Sequence, residues 1–228
     1  MPQTLVKLEG QPDDLAALAS LSSPAWAVVE GEEGFHLSSE AWGPIEDLME
    51  VLDRAKELIE ILNGAAAVYI LNFEPVKLSG QVHRRNDEGR TLNATIQTIT
   101  GGARIRRLPE VAANTPNLDT WMALVEGQPS VHKALALYGG LERTWRNLYL
   151  VLEVIEDSVG GEKALLACAW CPDPTKVKQF KGVANNWKAL GVHARHATER
   201  FERPAVPMTL QEARETIRAV LVAWLRTF

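Results

Sequence analysis

Residues 109–117, Pro-Glu-Val-Ala-Ala-Asn-Thr-Pro-Asn, have no apolar period of their own and carry turn-forming Pro and Asn. The chain changes character across them. Before this stretch apolar residues alternate in short runs, and beyond it they recur at three- and four-residue spacing. A change of period marks a boundary between folding units, so the sequence predicts a domain over 1–108, a linker over 109–117 and a second domain over 118–228. The fold class expected is α+β: a small antiparallel sheet with one helix, followed by an all-α helical bundle.

On the N-terminal side, Trp26–Glu30 and Phe35–Leu37 flank Gly31-Glu32-Glu33-Gly34 and read as a hairpin. A helix follows. Ile45, Leu48, Met49, Leu52, Ala55, Ile59 and Leu62 share a face, with Pro44 expected at its first position and Asn63-Gly64 just past its end. Residues 66–72 then read as a strand. Val76–Arg84 and Leu92–Thr98, joined across Asn86-Asp87-Glu88-Gly89, read as a second hairpin.

On the C-terminal side every signal is helical, and five or six helices are expected. Leu118–Glu126, Pro129–Tyr138, Leu141–Ser158, Glu162–Trp170 and Thr175–Leu190 precede a closing helix that opens on Thr209-Leu210-Gln211-Glu212, a capping box. Leu141, Trp145, Leu148, Leu152 and Ile155 form one stripe, and Val177, Phe180, Ala184 and Trp187 another. Leu221 and Trp224 are expected in the core. Trp42 and Trp170, beside turns, are freer to line a pocket or an interface.

Composition removes several classes. With 24 Lys+Arg against 29 Asp+Glu in 228 residues, the net charge of -5 argues against a dedicated polyanion binder but permits a local basic patch. No apolar run approaches the roughly 20 residues a membrane-spanning helix needs, so no membrane partner is expected. The first residues lack the pattern of a secretory signal, and two cysteines build no disulfide framework; both point to the cytoplasm. There is no Walker loop, dinucleotide fingerprint, nucleophile elbow or zincin pair, and no cofactor is implied.

The densest polar constellation runs from Lys176 to Arg203, holding Lys178, Lys181, Lys188, Arg195 and Arg200 with only Glu199 and Glu202 as acids. Within it, His193 and His196 follow Gly191, which would let the backbone turn both rings toward a common cleft lined by Lys188 and Arg195. An imidazole accepts the proton of a ribose 2′-hydroxyl or donates one to a leaving oxygen, and a neighbouring cation steadies the phosphorane-like charge. His193, His196 and Lys188 are therefore the candidate catalytic residues, with Arg195, Lys181, Asn185, Asn186 and Arg200 as candidate anion or RNA contacts. Cys168 and Cys171 add thiols to the two histidines, but the spacing is wrong for a zinc finger, and a C-x-x-C at a helix end is wrong for a thioredoxin-like pair. No metal site is assigned.

The long helix containing Trp145-Arg146-Asn147-Leu148-Tyr149, the polar Phe180–His196 stretch and the apolar closing helix from Met208 together resemble the HEPN class of bacterial helical-bundle proteins. Many of that class are ribonucleases of toxin–antitoxin and phage-defence systems. Their signature places an Arg and a polar residue about four to six positions before a His; counting back from His193, Lys188 or Asn186 stands there instead. The resemblance implies an RNA-binding or RNA-cleaving protein, and a dimer is compatible with it. Two other readings stand beside it: a non-catalytic module that binds a protein partner, and a small-molecule sensor with a pocket between the domains.

Overall fold

Thr4, Val6 and Leu8 are buried and Leu5 and Lys7 between them are half-buried, so Gln3–Glu9 forms a strand, β1, with two unequal faces. The computed structural model describes residues 3–21, 25–85, 91–95, 110–111, 118–140, 142–197, 202 and 206–228. It divides into two compact units, Met1–Ala113 and Asn114–Phe228, and the fold is α+β.

In the first unit β1 is followed by α1 (Pro12–Ala19), β2 (Trp26–Gly31), β3 (Gly34–Ser39), α2 (Leu48–Tyr69), β4 (Ile70–Leu71), β5 (Lys77–Arg85), β6 (Thr91–Thr95) and β7 (Glu110–Val111). The expected first hairpin is β2 with β3, paired from Trp26↔Ser39 to Gly31↔Gly34. Gly34 turns the chain at φ 104°, a conformation that favours glycine. The sheet order is β2-β3-β1-β5-β6, all antiparallel. Its central strand, β1, has no counterpart in the reading of the sequence above, and neither has α1. Val28, Leu37, Val6 and Val82 lie in register across four strands, each no more than 3% exposed, and form the buried row of the sheet.

The helix boundaries differ from expectation at both ends. Asp47 rather than Pro44 starts α2, its carboxylate accepting from Met49 N at 2.8 Å. Asn63-Gly64 does not stop the helix, which continues to Tyr69 through residues expected to be a strand. From Ile61 to Val68 every residue is buried, and a helix apolar all round is one enclosed by protein. Asn63 escapes its usual role as a terminator because its amide is fully used: Nδ2 donates to Val76 O at 2.8 Å and Oδ1 accepts from Val76 N at 2.9 Å. Arg84, 9% exposed, ties the approach to α2 onto the sheet, donating to Thr4 Oγ1, Glu46 O and Ile45 O. Glu110–Val111, expected in the linker, pairs with Ile70–Leu71. The Asn86–Gly89 turn and residues 96–98 of the second hairpin lie outside the described residues.

The second unit is helical: α3 (Leu118–Gly127), α4 (Pro129–Gly139), α5 (Trp145–Val159), α6 (Glu162–Ala167), α7 (Pro174–Ala184), α8 (Trp187–Leu190) and α9 (Leu210–Leu225). Thr144 caps α5, accepting from Asn147 N, and Gly160 ends it at φ 93° in the left-handed region. Trp145, Leu148, Leu152 and Ile155 are buried as their stripe requires, and Trp145 stacks on Phe180 of α7 with centroids 5.8 Å apart. The single helix expected over Thr175–Leu190 is two, because Asn186 turns out of α7 and accepts from Ala189 N to cap α8. The capping box of α9 is complete, with Thr209 N donating to Glu212 Oε2 at 2.7 Å and Glu212 N donating to Thr209 Oγ1 at 3.2 Å. Leu221 and Trp224 are buried as expected; of the two tryptophans read as freer to line a pocket or an interface, Trp42 is buried and Trp170 half-buried. No helix among the described residues is long and apolar enough to cross a membrane.

Two substitutions test the two cores. Asn63→Ala leaves the buried N–H and C=O of Val76 without their partners and is expected to cost roughly 2–5 kcal/mol in urea unfolding. Trp224→Ala is expected to cost roughly 3–5 kcal/mol by cavity formation. A loss below about 1 kcal/mol for either, the range of surface changes, rejects its assigned role.

Candidate functional site

Tyr149, Glu153 and Glu156 stand at i, i+4 and i+7 on α5, the spacing that puts three side chains on one helical stripe. Lys181 and Asn185, four apart at the end of α7, meet that stripe from the other side. The chain then passes through α8 and a 3-10 turn at Gly191–His193 and returns, Arg195 N donating to Ala184 O at 2.8 Å. Gly191 makes the return at φ 56° and ψ -129°. Three segments, α5, the end of α7 and the stretch holding Arg195, thus deliver polar groups to one region.

Arg195 lies over the Tyr149 ring, its guanidinium carbon 4.3 Å from the ring centre, a cation–π contact. Its Nη2 donates to Glu153 Oε1 at 2.6 Å and its Nη1 is 3.2 Å from His196 Nε2. A guanidinium has only donors, so this contact is a hydrogen bond when Nε2 supplies the lone pair, as it does in the tautomer that carries its proton on Nδ1. Asn185 Nδ2 donates to Tyr149 Oη at 3.3 Å, while Asn185 Oδ1 is buried without a hydrogen-bond partner among the described residues.

Lys181 is tied inward, its Nζ 2.8 Å from both Glu156 Oε1 and Glu162 Oε2. Burial works against its charge, but the hydrogen bonds it donates to Glu156 and Glu162 outweigh it and hold the ammonium above the ordinary lysine range. Lys188 is drawn to Glu202 Oε1 at 2.9 Å. Asn186, 1% exposed, donates through Nδ2 to Glu202 O at 2.7 Å and serves as a structural anchor. His193 and His196 are both exposed, and it is His196 that the structure joins to Arg195. Arg200 lies outside the described residues.

Glu153 and Glu156 were not read as site residues from the sequence, although their spacing with Tyr149 on α5 carries the signal. Cys168 is half-buried and Cys171 buried, and burial pushes the Cys171 thiol up, keeping it protonated at neutral pH. Among the described residues no group of three or more His, Cys, Asp and Glu is placed to hold a metal ion. In the first unit, His36 and His83 meet edge to face with centroids 5.7 Å apart, and burial followed by the His83 field pushes the His36 imidazole down. No protein-family model, curated protein or solved structure matches the chain.

The Lys181 pairing has a pH signature. A raised folded-state value means that its contribution is complete below the ordinary lysine value of 10.5 and fades as the pH rises through the folded value. Lys181→Met is expected to cost roughly 2 kcal/mol near neutral pH, since it strands Glu156 half out of water. The gap between wild type and variant in urea unfolding should narrow above the lysine range. A gap of unchanged size there contradicts the pairing as its source.

Proposed function

We propose that the second unit is an HEPN-like RNA-binding or RNA-cleaving module of a bacterial defence or toxin–antitoxin type system, with its reactive end at His196 and Arg195. The observation that carries this reading is the 3.2 Å contact between Arg195 Nη1 and His196 Nε2 at the protein surface, backed by Glu153 and the Tyr149 ring. The chemistry needs no metal. One imidazole takes the proton of a ribose 2′-hydroxyl, the freed oxygen attacks the adjacent phosphorus, and the 5′-oxygen leaves with a proton from a second group. His196 takes the proton once its Nε2 exchanges the Arg195 contact for the 2′-hydroxyl, His193, when protonated, gives the other, and the released Arg195 Nη1 steadies the charge that grows on the phosphoryl oxygens. The products are a 2′,3′-cyclic phosphate and a 5′-hydroxyl.

A second reading, a non-catalytic module that binds a protein partner, is favoured by a specific observation. Lys181, Lys188 and Arg195 each already donate to a carboxylate of the chain, so an incoming phosphate has to exchange with Glu156 and Glu162, Glu202 or Glu153. The two readings part in a single assay. Wild type, His196→Ala and Arg195→Ala are incubated with single-stranded RNA in the presence of a chelator. Cleavage by wild type leaving cyclic phosphate ends, a loss of about 100-fold or more in His196→Ala with RNA binding retained, and weakened binding in Arg195→Ala are the expected results. RNA left intact by wild type at every pH between about 5 and 8, the range in which imidazole changes charge, removes the enzyme and leaves the interaction module.

A further inference from the structure

Cys168 and Cys171 are the two thiols of the chain, both free, and neither functional reading uses them. Cys168 caps the C-terminus of α6, and Cys171 stands two residues before Asp173, the N-cap of α7. Between them the chain makes a closed turn, Cys171 N donating to Cys168 O at 3.0 Å across Ala169-Trp170. Both sides of the turn are fixed. Cys168 N donates to Leu165 O at 3.1 Å, and Asp173 Oδ1 accepts from Thr175 N and Lys176 N at 3.0 Å each.

A turn closed by a hydrogen bond between its first and fourth residues holds their Cα atoms within about 7 Å. A disulfide spans about 4.4–6.8 Å between Cα atoms, so this backbone keeps the pair at the separation the bond takes. The two thiols differ in access. Cys171 is 8% exposed, whereas Cys168 is half-buried and lies between the exposed Ala167 and Ala169. A reagent in solution therefore meets Cys168 first. Burial raises the Cys171 thiol, which keeps that sulfur from competing as the first nucleophile.

We propose that Cys168 and Cys171 form a reversible oxidation site, at which hydrogen peroxide closes the α6–α7 turn with a disulfide. In the first step Cys168 Sγ, as thiolate, attacks one peroxide oxygen. The S–O bond forms, the O–O bond breaks, and the departing hydroxide takes up the proton the thiol gave, leaving as water. In the second step Cys171 Sγ attacks Cys168 Sγ of the sulfenic acid. The S–S bond forms, the S–O bond breaks, and the hydroxide leaves as water with the Cys171 proton. Together the sulfurs lose two electrons and the peroxide gains two. A dithiol reductant reverses the closure through a mixed disulfide. Having the second thiol three residues away lets it capture the sulfenic acid before further peroxide carries it to sulfinic acid. The site draws on neither His196 nor Arg195 and stands whether or not the second unit acts on RNA.

The full-length chain is treated with a small molar excess of hydrogen peroxide, and the peptide holding both cysteines is followed by mass mapping before and after dithiothreitol. In wild type both thiols are expected to disappear together, with loss of two hydrogens from that peptide, and to return on reduction. In Cys171→Ala, dimedone is expected to label Cys168 as the sulfenic acid about tenfold or more above wild type. In Cys168→Ala, Cys171 is expected to stay a thiol at the same dose. Survival of both thiols in wild type, conversion of Cys168 to sulfinic acid there, or a disulfide between two chains overturns the proposal, as does equal loss of Cys171 in Cys168→Ala. The wild-type result decides by itself should either variant unfold.

Discussion

Arg195 is the residue on which the candidate site depends. Its side chain is 29% exposed, and a guanidinium that leaves water to that extent keeps its charge, so it needs a carboxylate and a surface to lie on. Glu153 provides the first and Tyr149 the second, both from α5. With the side chain fixed at that end and the backbone fixed by Ala184 O, the segment after α8 has one position against the bundle. His196 takes its place from that anchoring. The reactive histidine of the proposed chemistry is therefore held by a neighbour in sequence that is itself held by a helix some 42 residues earlier.

The same division of labour recurs through both units. Apolar rows such as Val28, Leu37, Val6 and Val82, or Leu148, Leu152 and Ile155, supply the burial that drives folding but tolerate small shifts. Polar groups inside them do not tolerate shifts, because a buried donor or acceptor that loses its partner costs more than the bond contributes. Asn63 sets where α2 lies against Val76, Arg84 sets where the approach to α2 meets the sheet, and Lys181 sets α7 against α5 and α6.

What was legible in the sequence was what depends on local periodicity and capping. The α5 stripe from Trp145 to Ile155, the α7 row of Val177, Phe180 and Ala184 without Trp187, which starts α8 and is half-buried, the capping box at Thr209 and the Gly31–Gly34 hairpin all follow from residues within a few positions of one another. What was not legible depends on partners far along the chain. β1 is the middle strand of the sheet, yet Leu5 beside Val6 blurs its alternation, and only pairing with β3 and β5 defines it. Asn63-Gly64 has the composition of a helix end and becomes helix interior because Val76 satisfies the amide. At the site, the cationic stretch, its histidines and Glu202, which answers Lys188, were visible, but the carboxylates that answer Lys181 and Arg195 were not. Glu153, Glu156 and Glu162 lie well before it in the chain and are brought to it by packing.

The central claim is that Arg195, braced by Glu153 and Tyr149, holds the His196 ring through Nε2. Nitrogen NMR of the His196 imidazole in the full-length protein tests it most directly, since the two ring nitrogens report which one carries the proton. At a pH where the ring is neutral, the account predicts a tautomer protonated on Nδ1 in wild type, shifting toward the Nε2-protonated form of a free imidazole in both Arg195→Ala and Glu153→Gln. An Nε2-protonated ring in wild type, or a ring unchanged by either substitution, would contradict it.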